Sequence, residues 1–265
     1  MTISTPFYAC DFWAADWMTQ IKAQYSGQSS NAYLLVDAGF NAAQGAHWLA
    51  HPEEGYVSLY AGTALADAAD TGLFLGRADI SSRDAKLLDH VGRASGLPML
   101  SWVWSHSDLQ TLALHWQDYL EVETPDGLAW PLRQGDTRCI PCIATMLKAE
   151  APKFFEGFTG WSYFDRAGHL SNVTGQQTAN GASPRNSGGP LPISDIAFAR
   201  LVEDGAADEA LMQLVELYPS LVQLAPASEL YARLEALMSG RPMPRLRGSC
   251  GSKFMPDFAP PIAGP

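Results

Sequence analysis

Positive charge is scarce in this chain: 17 Lys and Arg stand against 28 Asp and Glu in 265 residues, a net charge of −11. Binding along a nucleic-acid backbone needs clustered cations, so this balance excludes a general nucleic-acid partner. Cysteine is also sparse. Four in the whole chain are too few for a disulfide framework. No run approaches the roughly 18 apolar residues that a membrane-spanning helix needs. The opening MTISTPFYACDFW has no basic region followed by an apolar stretch, the pattern of a secretory signal. These absences lead us to expect a soluble, cytoplasmic protein with no membrane insertion. Neither a Gly-rich phosphate loop, nor a dinucleotide fingerprint, nor a Gly-x-Ser-x-Gly elbow occurs, so the sequence gives no support for a nucleotide, a metal or any other cofactor.

What is present is an ordinary globular composition, 47% hydrophobic with 11% aromatic residues. A chain of this length can bury roughly three quarters of its unfolded surface. One large domain, or one domain with a small lobe, is expected.

The pattern along the chain predicts an α/β fold, a mixed β-sheet flanked by helices and followed by a small helical lobe. Trp13, Trp17, Ile21 and Tyr25 recur at helical spacing, with Asp11 placed as a cap, which gives an N-terminal helix within residues 1–28. Residues 29–175 read as the α/β core. Tyr33 to Val36 is a continuous apolar run, as in a strand covered on both faces, and Tyr56 to Tyr60 and Leu73 to Leu75 read as further strands. A helix over Ala42 to Leu49 stops before Pro52. Ser81 and Asp84 suggest a capping box for a helix with Leu87, Leu88 and Val91 inward. Residues 176–192 are rich in Gly, Asn, Ser and Pro and lack a period, so they read as a flexible linker. Residues 193–239 read as the helical lobe, with Ser194 capping and Gly205 interrupting. Residues 240–265 form a Pro/Gly-rich basic tail.

The most informative stretch runs from Met99 to Val173. Leu109, Leu112, Ala113, Trp116 and Leu120 line one face of a helix that Ser105 or Ser107 can cap. LEVETPDGLAWPL then alternates on either side of Asp126-Gly127, a turn that wants positive φ, which is the pattern of a half-buried hairpin. Thr137 can cap the next helix, with Ile140, Ile143, Ala144 and Leu147 as its apolar stripe. In this order, with LSWVWSHSDLQTLALHWQDYLEVETPDGLAWPLRQGDTRCI leading into FFEGFTGWSYFDRAGHL, the chain resembles the type VI secretion effector adaptors, the Tap or Tec chaperones, a family first defined as a domain of unknown function. Members typically carry a strand ending in an Asp-Gly turn and a return strand that runs into Arg-x-x-Asp-Pro-Arg. Arg133, Asp136 and Arg138 match that element here, with Thr137 where the family usually has Pro. The resemblance covers roughly residues 29 to 173, and the helical region after the linker is short beside the family's.

Other constellations carry chemistry only weakly. Cys139-Ile-Pro-Cys142 at a helix start has the residue types of a redox pair, because the helix dipole favours a thiolate. The alternative reading is structural thiols. His47 and His51 stand one helical turn apart near Glu53 and Glu54, but Pro52 ends the helix at the second His, and no catalytic zinc pattern lies between them. Ser105-His106-Ser107-Asp108 holds triad types that, as sequence neighbours, cannot form a relay. Glu121 and Glu123 read as the solvated side of a strand, and Arg133, Asp136 and Arg138 as a structural ion-pair and capping group at the hairpin exit.

Binding is therefore favoured over catalysis. The resemblance implies a non-enzymatic chaperone that binds a cognate secreted effector and helps load it onto the type VI secretion spike protein. The apolar stripes of the lobe, Leu211, Leu214, Val215, Tyr218, Leu230, Leu234 and Leu237, are the candidate guest surface, since two short helices cannot bury two stripes on each other alone. From another class, a thiol-disulfide oxidoreductase using Cys139 and Cys142 is the alternative.

Overall fold

The computed structural model describes residues 7–25, 30–78, 91–175 and 189–242. The fold is mixed α/β. Its centre is β1 (Asn31–Asp37), which pairs with β3 (Leu73–Arg77) on one side and β4 (Leu100–Ser105) on the other. With β2 (Tyr56–Ser58), β7 (Gly160–Phe164) and β8 (Leu170–Thr174) they form a six-stranded sheet in the order β2-β3-β1-β4-β7-β8, antiparallel at every pairing. The hairpin strands β5 (Glu121–Glu123) and β6 (Ala129–Pro131) build a second, three-stranded sheet with β9 (Leu191–Pro192). The β5–β9 pair is parallel.

Both faces of the large sheet are covered, which is why its strands read as apolar runs rather than alternations. Tyr33, Leu35, Leu75 and Val103 face α3 (Leu109–Gln117) and α4 (Ile140–Glu150), meeting Leu112, Trp116, Ile143 and Leu147. Leu34, Val36, Phe74 and Trp102 face the opposite way, toward Ile21 of α1 (Trp17–Tyr25) and Trp48 of α2 (Ala42–Ala50). Each fully buried Leu or Val contributes roughly 1.5–3 kcal/mol. The serines among the strand aromatics accept the indole protons: Trp104 Nε1 donates to Ser162 Oγ and Trp161 Nε1 to Ser101 Oγ, each at 2.9 Å. Leaving such a buried indole N–H without an acceptor costs about 1–3 kcal/mol.

Several caps differ from the sequence expectation. Helix α1 begins at Trp17, not near Asp11, whose amide donates to the Arg166 carbonyl at 2.8 Å and whose carboxylate serves another helix. Asp108 rather than Ser105 or Ser107 caps α3, accepting from the Thr111 amide at 2.8 Å. Ser105 instead donates to the Gly157 carbonyl and accepts from the Ser107 amide. Thr137 is buried and does not cap α4: the Asp136 carboxylate takes the Arg138 amide in a tight turn, which moves the helix start on to Cys139 and Ile140.

After β9, α5 (Asp195–Leu217) and α6 (Ala227–Met238) form the helical pair. Ser194 caps α5 through the Ala197 amide. Gly205 does not interrupt it. A helical Gly costs about 1 kcal/mol relative to Ala, and a 23-residue helix anchored by Ala197 and Leu211 on either side absorbs that. Within the expected linker, 176–188 lie outside the described residues, while Leu191 and Pro192 are strand. The expected capping box at Ser81 and Asp84, with Leu87 and Leu88, also lies outside them, as does the tail beyond Pro242; Val91 is buried.

Candidate partner-binding lobe and its polar hub

The residues at the hairpin exit hold the lobe in place. Gly127 takes φ 79° in the turn, and Thr124 donates to the Asp126 carboxylate beside it. Leu132 is buried, whereas Leu128 and Trp130 are about half exposed, with Trp130 leaning on Phe198 of α5 at 5.9 Å. Beyond the hairpin, Arg138 donates from Nε and Nη2 to the fully buried Asp136 carboxylate at 2.9 and 2.7 Å. Arg133 reaches Asp37 at 3.3 Å and Asp136 at 3.6 Å, and its guanidinium stands over Phe40. Asp37 also accepts from the Gly39 amide. Burial pushes the Asp37 carboxyl above the usual carboxylate range, because the half-exposed Arg133 is screened by solvent and offsets only part of that cost.

The hub extends into the lobe through Asp208. Arg166, on the turn between β7 and β8, gives Asp208 two parallel hydrogen bonds, both 2.6 Å, and Arg138 stands 3.5 Å from the same carboxylate. The Arg166 guanidinium also lies 3.7 Å from the centroid of the Tyr231 ring on α6. Burial opposes the charge on Arg138 and Arg166, but their bonds to Asp136 and Asp208 outweigh it and raise both pKa values. One cationic pair thus joins the core, α5 and α6.

The seven candidate guest residues do not share one surface. Leu211 is buried, and Val215, Leu230 and Leu234 pack with it around Ala9, Ala207 and Tyr231. These form a small core of the lobe that Ala9, from the N-terminal segment, completes. Leu214 is half-buried. Tyr218 is exposed at the end of α5, and Leu237 is exposed toward the far end of α6. Open apolar side chains gather at the turn between the helices, where Leu217, Tyr218, Val222 and Leu224 are 71%, 59%, 42% and 73% exposed, and Ile196, Val202, Met212 and Met238 are exposed elsewhere on the pair. Glu203, Glu209 and Glu216 are exposed along the same α5. Sequence reasoning assigned Leu217 and Leu224 to neither stripe and also missed Asp208 and Arg166. Asp208 left a signal, since it falls within the helical stripe that includes Ala207 and Leu211, where a charge needs a partner.

The three described cysteines are all partly buried. Cys139 precedes α4 and Cys142 donates to the Arg200 carbonyl of α5 at 3.7 Å. Burial pushes the Cys142 thiol up to about 11, the Cys139 thiol further still and Cys10 to about 12, the reverse of what the helix dipole alone suggests. His47 and His51 stack at 4.3 Å, and His47 contacts Glu54 at 3.0 Å. Among the described residues, no group of three or more His, Cys, Asp or Glu could hold a metal ion, and no helix is long and apolar enough to cross a membrane.

No curated protein and no solved structure matches the chain. The stretch from Ala32 to Pro152, which begins in β1, contains the hairpin and the hub residues Arg133, Asp136 and Arg138, and ends just after α4, is similar to a family described as a domain of unknown function, DUF4123.

Proposed function

We propose that this chain is a non-enzymatic adaptor that binds a cognate toxic effector in the cytoplasm and helps load it onto the spike protein of the type VI secretion machine. The resemblance in Met99 to Val173 supplies the kind of partner. The observation that carries the reading is the exposed apolar turn Leu217, Tyr218, Val222 and Leu224, on a lobe fastened to the core by Arg166 and Asp208. Large apolar side chains gathered within eight residues, at the end of a helix whose other exposed side chains include Glu203, Glu209 and Glu216, are costly to leave in water and mark a protein-binding patch. The acidic surroundings disfavour acidic partners and leave the centre for apolar burial. Thiols held protonated by burial speak against the oxidoreductase alternative.

The test is affinity purification of the tagged protein from its native cell lysate, with partners identified by mass spectrometry and the complex sized by light scattering. A complex of defined stoichiometry with a secreted toxin or a spike protein is the expected result. A monomer that recovers neither overturns the proposal.

A further inference from the structure

The stretch Phe7–Trp13 has no helix or strand of its own, yet it runs between the α/β core and the helical pair. Ala9 is 1% exposed, inserted among Ala207, Leu211 and Tyr231, with Phe7 packed beside it. Arg138 Nη1 donates to the Tyr8 carbonyl at 3.3 Å, and the Asp11 amide donates to the Arg166 carbonyl at 2.8 Å. Helix α6 follows Pro226, which offers it no side-chain cap. Asp11 supplies the cap, accepting from the Ser228 amide at 3.2 Å and from the Ser228 hydroxyl. The segment is thus held as a bound peptide is held: an aromatic anchor, a small buried residue two positions on, main-chain hydrogen bonds, and a carboxylate at a helix N-terminus.

One feature marks the fit as strained rather than seamless. Ala9 is the one non-glycine among the described residues with positive φ, at 55°. Phe12 is 80% exposed and leans on Gly96, while its carbonyl passes so close to Gly168 that a Cβ there would collide with it. The chain crosses this turn only because residue 168 has no side chain.

We propose that the cleft between α5, α6 and the β7–β8 turn is a peptide-binding groove whose resident occupant is Phe7–Asp11. An extended partner segment of the same chemistry, an aromatic, a small residue two on and an acidic residue two beyond that, competes for it. Arg138, Arg166 and Ser228 read the backbone and the carboxylate, and Leu211 and Tyr231 read the small residue. This holds whatever the identity of the partner bound at the Leu217–Leu224 turn, so the two proposals fail separately.

The test uses the full chain and a fluorescein-labelled peptide of its own sequence from Thr5 to Ala14, with Ser in place of Cys10. A tethered occupant competes at an effective concentration on the order of millimolar, so the wild type binds the peptide weakly. Asp11→Ala weakens the resident segment, and the peptide's apparent Kd is expected to fall at least tenfold. A peptide lacking its own Asp is expected to lose at least tenfold in affinity. Equal binding by wild type and variant, or by the two peptides, overturns the proposal. Hydrogen exchange on the unmodified protein gives a second, independent readout. The amides of Asp11 and Ser228 are expected to exchange together and at least a hundredfold faster than those of Leu34 and Leu35. Protection equal to that of β1 makes the segment a fixed part of the fold and overturns the proposal as well.

Discussion

Arg166 and Asp208 form a two-pronged ion pair, both N···O distances 2.6 Å, between the turn after β7 and the middle of α5. Their side chains are only 16% and 12% exposed. Removing one partner therefore strands the other's charge. Asp208→Ala is expected to destabilise the protein by about 3–5 kcal/mol, whereas replacing Arg166 and Asp208 together with Met and Leu costs much less. Urea denaturation of the two variants beside the wild type measures both. A loss below about 1 kcal/mol for Asp208→Ala would mean that solvent screens the pair and that the lobe is held otherwise.

Interior and surface positions of the lobe separate by mutation. Leu211→Ala removes a buried side chain and is expected to cost about 2–5 kcal/mol. Leu224→Asp changes an exposed one and is expected to leave stability within about 0.5 kcal/mol while lowering partner recovery in the pull-down. Equal recovery with wild type and Leu224→Asp would remove the turn from the binding surface.

Asp37 gives a pH dependence whose sign is fixed by its raised pKa. The folded state holds that proton more tightly than the unfolded chain does, so this contribution to stability is full below the ordinary carboxylate value and is lost as pH rises through the elevated one. Asp37→Asn keeps the acceptor for the Gly39 amide and removes the titration. Its stability is expected to fall less than that of the wild type between pH 4 and pH 7 in parallel urea melts; identical slopes would refute the assignment.

Cys142, with its thiol near 11, carries far less thiolate at neutral pH than an ordinary cysteine. Alkylation by iodoacetamide at pH 7.5, followed by mass spectrometry, is expected to run at least tenfold slower at Cys142 and Cys139 than for a free cysteine peptide. Fast labelling of either thiol in the folded protein would reopen the redox reading.

The large sheet was legible because its chemistry is local. YLLV and LFL are apolar without alternation, and only strands covered on both faces can tolerate that. The Asp126-Gly127 turn and the acid–base trio Arg133, Asp136 and Arg138 were legible for the same reason, being set by neighbours along the chain. What escaped was everything fixed at a distance. Thr137 has the chemistry of a cap and lost the position to the Asp136–Arg138 turn. The stripe Leu211, Val215, Leu230 and Leu234 has the periodicity of a surface awaiting a guest, but Ala9 and Tyr231 complete it from within. Helical spacing reports that a face is apolar and says nothing of what covers it.

The capping of Ser228 by Asp11 spans 217 positions of sequence. During synthesis the acidic residue emerges long before the helix it completes exists, and until then Phe7 and Ala9 lack the α5 and α6 side chains they pack against. Closing so long a loop carries an entropic cost that only late, cooperative docking repays. The Ala207–Leu211 stretch of α5 and the start of α6 are therefore expected to gain their full protection only once the N-terminal segment has docked.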